Sequence, residues 1–129
     1  MTDEVKEKAK KTAELYFGDF PGGGVFPLWK HFDSDLAKDL SRFITGQMYA
    51  REKIPHQTRQ LITVAVLTAL GRAEELKLHT WAALNVGCTP AEIAEVIFQV
   101  FTYAGMPVVN QGLKVLKQVL EERGLEPGE

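Results

Sequence analysis

The sequence predicts an all-α fold, and three observations support this. Apolar residues recur with helical spacing, several of these segments stop at a glycine, and no run alternates apolar and polar side chains as a strand does. The glycines that end apolar segments are Gly71, Gly87, Gly105 and Gly124. We expect about six helices in a single domain that spans residues 1–129.

The composition is that of an ordinary globular protein, and it disfavours several classes of function. Of the 129 residues, 45% are hydrophobic and 25% are charged, and the formal net charge is −2. Nucleic acid binding usually needs a basic surface, so none is expected. The single cysteine, Cys88, excludes an intrachain disulfide and a Cys-based zinc site. Residues 1–14 lack the apolar core of a signal peptide and no membrane span is found, which favours a cytoplasmic protein.

Helix signals can be followed in order along the first half of the chain. The first helix is expected from about Asp3 to Phe17, and Gly18 to His31 then forms a loop of glycines, prolines and aromatic residues. This loop is either a connector whose aromatic side chains enter the core or a flexible flap over a pocket. Ser34 is the candidate N-cap of a helix over residues 35–49, and Pro55 stands where the next helix can begin.

The later helices carry clearer patterns. Residues 61–70 are apolar almost all round, which predicts a helix buried on every side. A second subunit would make such burial easier in a chain of this length, so we expect an oligomer, with a tightly wrapped monomer as the alternative. Thr89 to Glu92 has the pattern of a capping box. The last helix carries a narrow apolar seam at Val109, Leu113, Leu116 and Leu120.

One acid–base pair is a candidate for catalysis. Glu75 and His79 are four residues apart on one helical face, and Arg72 lies one turn before Glu75. A carboxylate beside an imidazole can hold its tautomer and raise its pKa, which suits proton transfer near neutral pH. A solvated surface pair is the simpler alternative. The histidines do not have the spacing of a helical metal site, so no metal is expected.

Arginines and tyrosines supply further candidates. Tyr49 and Arg51 lie near a predicted helix end, and Arg59 opens the apolar helix. Arginine can clamp a carboxylate with two hydrogen bonds, and helix capping or an intersubunit ion pair is the alternative role at these positions. Tyr103 could donate to a developing oxyanion, or it could be a core tyrosine with a satisfied hydroxyl. Cys88, just before an N-cap, is either a thiol of lowered pKa or an inert small residue.

Several segments together resemble the carboxymuconolactone decarboxylase family. The matching runs are Arg59 to Ala65, Leu67 to Arg72, Glu75 to His79, Ala82 to Gly87 and Glu92 to Val96. The segment Tyr103 to Pro107 is similar to the family's Tyr-Ala-Gly-x-Pro motif. An upstream Gly-x-x-aromatic-x-Arg element is matched by Gly46, Tyr49 and Arg51. The resemblance covers roughly residues 30–120, and it implies an all-α, alkylhydroperoxidase-D-like fold that assembles into trimers or hexamers.

The resemblance also separates two kinds of chemistry. The alkylhydroperoxidase-D-like branch of the superfamily uses a CxxCxxxH motif to reduce peroxides or disulfides. His79 matches the histidine of that motif, but Arg72 and Glu75 occupy the cysteine positions, and the upstream acid of its proton relay falls at Gln60. Thiol redox chemistry by that route is therefore excluded. A peroxiredoxin label would come from the superfamily and not from these residues.

The decarboxylase branch fits better, and it implies a cofactor-free loss of CO2 from 4-carboxymuconolactone, a small acidic lactone. By this resemblance His79 is the general acid/base and Glu75 orients it. The substrate carboxylates would be bound by Arg51 or Arg72, with Arg59 as a further candidate. Tyr49 or Tyr103 would donate to the lactone oxygen, and the loop that contains Trp29 would exclude water. The alternatives are a family member with another substrate and a non-catalytic oligomeric binding module.

Overall fold

The computed structural model describes residues 3–128, with the backbone alone at Asp3, and all of the secondary structure in this range is helical. This confirms the all-α class. The described residues form two compact units that divide after His56. The α-helices are α1 (Asp3–Phe17), α2 (Phe26–Phe32), α3 (Ser34–Ser41), α4 (His56–Leu70), α5 (Ala73–Asn85), α6 (Pro90–Gln99), α7 (Phe101–Ala104) and α8 (Met106–Arg123), with a π-helix at Arg42–Met48. The prediction of a single domain stays a prediction.

In the first unit, α1 packs closely against the π-helix. A Cβ atom on Gly46 would lie 2.9 Å from the Val5 carbonyl oxygen and 3.0 Å from the Ala9 Cβ, so only glycine lets the two backbones approach this closely. The Thr45 hydroxyl donates to the Ser41 carbonyl oxygen at 2.6 Å, which is the acceptor that the Thr45 N–H would use in an α-helix. The Tyr49 N–H instead reaches back five residues to the carbonyl oxygen of Ile44.

The first unit also departs from the predicted elements in two places. The segment expected as a loop, Gly18 to His31, contains most of the short helix α2, because Pro27 stands where a proline suits the first helical turn. The N-cap of α3 is Asp33 and not Ser34, since the Asp33 side chain accepts from the Leu36 N–H at 2.9 Å. With α2, the π-helix and the separate α7, residues 3–128 contain more helical segments than the six expected.

In the second unit, α8 packs against both α5 and α6. The Arg123 guanidinium stacks 4.7 Å from the centre of the Trp81 ring and donates to Asn85 Oδ1 at 2.7 Å, which ties the end of α8 to α5. The capping box predicted at Thr89 and Glu92 is confirmed, with both reciprocal hydrogen bonds present. The four glycines predicted to end apolar segments all have positive φ, which confirms that prediction.

Helix α4 is only partly buried within the described residues. Its buried positions, Gln60, Val64 and Thr68, form one stripe at four-residue spacing, whereas Ile62, Val66 and Leu70 are about half exposed or more. The expected burial on every side was tied to a second subunit, and this chain by itself covers one face of the helix only. The predicted oligomer stays a prediction.

Two further properties of the described residues concern membrane-spanning helices and surface depressions. No helix among residues 3–128 has the combination of length and apolar character that is needed to cross a bilayer. A surface depression of about 720 Å³ runs along α1 and is lined by charged side chains and Leu15. None of the predicted site residues lies in its lining.

Candidate active site

Two helices of the second unit bring His79 and Gln60 together. Helix α5 is buried over most of its length, from Leu76 to Ala83 with the exception of Lys77, so that His79 lies inside the unit with 9% of its surface exposed. Gln60 belongs to the buried stripe of α4 and is 0% exposed. These two polar side chains therefore meet in an interior that is otherwise mostly apolar.

A hydrogen bond fixes the orientation of the His79 ring. His79 Nδ1 lies 3.0 Å from Gln60 Oε1. An amide oxygen can only accept, so the Nδ1–H of the imidazole is the donor. The neutral ring then carries its proton on Nδ1, and Nε2 is the atom that can take up a second proton.

Burial keeps this imidazole neutral. Loss of hydration lowers the pKa of His79 from 6.5 to about 4, and the negative charge of Glu75 opposes this only in part. The sequence-based expectation that Glu75 raises the pKa of His79 to near neutrality is therefore wrong in its net direction, because burial outweighs the carboxylate. Glu75 itself lies on the exposed side of α5. The partner that orients Nδ1 is Gln60, which the sequence indicated only as the position of the superfamily's relay acid and not as a site residue.

The other site candidates of the second unit lie at varied depths. Arg72 is exposed at the N-cap position of α5, and Arg59 is half-buried on α4 with a buried Nε atom. Tyr103 is 99% exposed on the four-residue helix α7. The alternative of a core tyrosine at that position is wrong, because the helix breaks at Val100 and α7 presents this side chain to solvent.

The first unit holds the three remaining candidates. Tyr49 is half-buried and its ring packs edge-on against Tyr16, with 5.6 Å between the ring centres. Tyr16 is fully buried, and its hydroxyl is 2.5 Å from His56 Nδ1. Arg51 is exposed beyond the π-helix, and Trp29 is half-buried on α2. Neither Tyr16 nor His56 was singled out by sequence reasoning.

Two buried polar atoms, on the residue that contacts His79 and on the residue that follows it in the chain, have no hydrogen-bond partner among the described residues. They are Gln60 Nε2 and the hydroxyl oxygen of Thr80, and both residues are 0% exposed. Buried polar groups in folded proteins are nearly always paired, so such atoms mark places where a further molecule can bind. The signal in the sequence was a glutamine on the same helical stripe as Val64 and Thr68, within an apolar helix.

Cys88 is not an activated thiol. Its Sγ lies 3.6 Å from the Gln57 carbonyl oxygen, and the side chain is buried. Burial, with a smaller effect from the Glu92 carboxylate, raises the pKa of this thiol to about 11. The interpretation of Cys88 as an inert small residue is therefore favoured. Within residues 3–128, no group of three or more acidic, histidine or cysteine side chains is arranged to hold a metal ion.

Comparisons with known proteins identify one family that this chain resembles. The family model described as "Carboxymuconolactone decarboxylase family" matches residues 34–118. A protein of Acinetobacter baylyi named 4-carboxymuconolactone decarboxylase is 38% identical over 96 residues, which are 74% of this chain and 72% of the relative. An uncharacterised 15.0 kDa protein of Paracoccus denitrificans is 30% identical over 110 residues, covering 78% and 82%. A protein of Metarhizium robertsii named nitrosuccinic acid decarboxylase is 25% identical over 83 residues, covering 64% and 58%.

Proposed function

Because the chain belongs to the carboxymuconolactone decarboxylase family, we propose that it is a carboxy-lyase that acts without a cofactor. The proposed reaction is the loss of CO2 from 4-carboxymuconolactone or a similar lactone acid, with His79 as the residue that transfers the proton. The observation that carries the proposal is a buried, neutral imidazole whose Nδ1 is held by Gln60. The name of the Acinetobacter relative supports the choice of substrate.

The reaction makes three demands on the protein. The bond between the ring carbon and its carboxylate breaks, and the electron pair moves through the conjugated alkene onto the lactone carbonyl oxygen. CO2 leaves, and the dienolate takes up one proton on carbon to give the enol-lactone. The protein must therefore anchor a dicarboxylate, stabilise an oxyanion and deliver a proton. Each donor aimed at such an oxyanion typically contributes about 3–4 kcal/mol.

His79 is the proposed proton donor, and its burial determines when it can act. With a pKa of about 4, the ring is neutral at pH 7 when no substrate is bound. A dicarboxylate bound within a few ångströms would raise this pKa, since an opposite charge favours the protonated ring. We therefore expect substrate binding and proton uptake at Nε2 to occur together. The ring is then an acid only when a substrate is present to receive its proton.

The remaining roles are proposed for the residues that the sequence suggested. Arg51, Arg72 or Arg59 binds the substrate carboxylates, and Tyr49 or Tyr103 donates to the lactone oxygen, while the segment with Trp29 limits the access of water. Among the arginines, Arg59 is favoured because it directly precedes Gln60 and because its Nε atom is buried. A guanidinium is weakly hydrated and matches a carboxylate with two hydrogen bonds, which suits a sheltered position.

A His79→Ala variant tests the role of the imidazole. The assay follows the loss of the lactone by its ultraviolet absorbance, and we expect kcat/KM to fall at least about 100-fold. Glu74→Ala changes an exposed residue on the same helix and serves as the control, with unchanged kcat/KM. Circular dichroism verifies the helical content of both variants. Near-normal turnover by a folded His79→Ala protein would remove His79 from the mechanism, and a wild type without turnover would refute the choice of substrate.

The dependence of turnover on pH gives a second test. Since kcat/KM reports on the free enzyme, it should rise as the pH is lowered from about 8 to about 5, by close to tenfold per pH unit. The value of kcat reports on the substrate complex and should level off at a higher pH, because the bound anion raises the pKa of His79. A kcat/KM that stays constant over this range contradicts a proton donor with the pKa of the buried ring.

A different small carboxylic acid is the second candidate substrate. The Metarhizium relative is named for the decarboxylation of nitrosuccinic acid, which is not a lactone. The same buried imidazole could protonate the carbanion left by such an acid. Comparing kcat/KM for the lactone and for nitrosuccinate decides between them, and the better substrate is the one with the higher value.

A further inference from the structure

The Gln60 side chain has two ends with different surroundings. Its Oε1 accepts the Nδ1–H of His79 at 3.0 Å. Its Nε2 carries two N–H donors, is buried, and has no hydrogen-bond partner among the described residues. The same amide group is therefore half satisfied, and the satisfied half is the one that holds the candidate catalytic ring.

A buried amide with two unused donors is costly to fold, because the donors lose their hydrogen bonds to water and gain none in return. Such a group is tolerated where a bound molecule supplies the acceptor. Carboxylates and enolate oxygens are the strongest acceptors for an N–H donor, since the negative charge shortens and strengthens the hydrogen bond. The ring atom of His79 that contacts this amide does not use the two donors, because Nδ1–H is itself a donor.

We infer that Gln60 is a substrate-binding residue, in which Nε2 donates to an anionic oxygen of the substrate while Oε1 positions the His79 ring. The inference rests on the proposed function in that the anion is taken to be a carboxylate or the developing oxyanion of a small dicarboxylate. One side chain then fixes both the reacting acid and the group that receives negative charge. The proton-transferring atom, Nε2 of His79, is left on the ring edge that Gln60 does not bind.

The amide is also the group that suits this position chemically. A glutamate at residue 60 would keep an oxygen that accepts from Nδ1–H, but it would have no N–H donors and would place a negative charge where the anion binds. A methionine of similar length would supply neither end. Gln60→Glu and Gln60→Met therefore separate the two functions of the side chain. Gln57→Glu is the matched control, because it makes the same change at an exposed position on the same helix.

Two measurements test the inference. The 15N chemical shifts of the His79 ring report its tautomer: we expect Nδ1–H in the wild type and in Gln60→Glu, and a mixture of tautomers in Gln60→Met. Binding of adipate, a dicarboxylate that is not decarboxylated, is followed by amide chemical shifts. We expect both Gln60 variants to weaken binding by about 10- to 100-fold, the usual effect of losing a hydrogen bond to a charged group, and Gln57→Glu to leave it unchanged.

The outcomes for Gln60 and for the proposed reaction can be told apart. Wild-type affinity for adipate in Gln60→Met, or no binding of adipate by the wild type, overturns the donor role of Nε2. An unchanged His79 tautomer in Gln60→Met overturns the positioning role of Oε1. If the wild type binds adipate through Gln60 but does not decarboxylate the lactone, the proposed reaction fails while the anion-binding role stands. If both variants turn over the lactone with an unchanged KM, the proposed reaction stands while the anion-binding role of Gln60 fails.

Discussion

Replacing His79 with asparagine should remove one component of the pH dependence of stability. Asparagine can donate to Gln60 Oε1 as Nδ1–H does, but it does not titrate. In the folded protein the pKa of His79 is about 4, whereas in the unfolded chain it returns to about 6.5. As the pH falls through this window, the unfolded chain binds the proton first, so the folded state loses stability.

The magnitude follows from these two pKa values. When His79 is protonated in the unfolded chain but not in the folded protein, the free energy of unfolding falls by about 1.36 kcal/mol for each pH unit. Over the whole interval between the two pKa values this amounts to about 3 kcal/mol. Between pH 7.5 and pH 4.5, where most of the window is crossed, the wild type should lose about 2–3 kcal/mol through His79 alone. The stabilising effect of the neutral ring is complete above about pH 6.5 and no longer changes below about pH 4.

Urea unfolding at fixed protein concentration provides the measurement. All other ionisable groups are the same in both proteins, so the informative quantity is the difference in the free energy of unfolding between wild type and His79→Asn at each pH. We expect this difference to move by about 2–3 kcal/mol in favour of the variant between pH 7.5 and pH 4.5. His31→Asn, which changes an exposed ring, should follow the wild type. Parallel curves for wild type and His79→Asn would refute the neutral, buried imidazole.

Three further predictions concern the second unit. Thr89→Ala removes the N-cap acceptor of α6 and should lower the free energy of unfolding by about 1 kcal/mol, whereas the exposed Thr58→Ala should change it little. Gly112→Ala would place a Cβ 3.0 Å from side-chain carbons of α4 and α6, and should destabilise by about 1–3 kcal/mol in urea unfolding, while Gly128→Ala meets no atom within 4 Å and should be neutral. Cys88, with a pKa of about 11, should react with iodoacetamide at pH 8 far more slowly in the folded protein than in urea; equal rates would contradict its burial.

The features that sequence reasoning predicted correctly are local. The capping box at Thr89 depends on hydrogen bonds between residues three positions apart, and the glycines that end apolar segments act through their own backbone conformation. The bounds predicted for α1, from about Asp3 to Phe17, agree with those observed. The π-helix was not predicted, because the periodicity of the sequence gives no signal for its five-residue hydrogen bond from the Tyr49 N–H to the Ile44 carbonyl oxygen.

The candidate site shows the same limit. The spacing of Glu75 and His79 correctly indicated an electrostatic interaction, but the net pKa of His79 depends on its burial, which a spacing does not reveal. Gln60 is 19 residues away from its partner His79 along the chain, so no local pattern connects the two. Ile62 and Leu70 of α4 remain exposed in this chain, so burial of this apolar helix on every side would depend on the predicted second subunit.

The π-helix has a consequence for insertions and deletions in this chain. A wider turn accommodates one more residue than an α-helix of the same rise, so it behaves as a single-residue insertion that the fold has absorbed. Removing one residue between Arg42 and Met48 while this segment becomes an ordinary α-helix should leave the chain beyond it in nearly its present orientation, whereas a deletion inside the regular helix α1 would rotate the following residues by about 100°. Tyr49 should therefore keep its edge-on packing against Tyr16, and the first unit should tolerate a single-residue deletion in the π-helix better than one in α1.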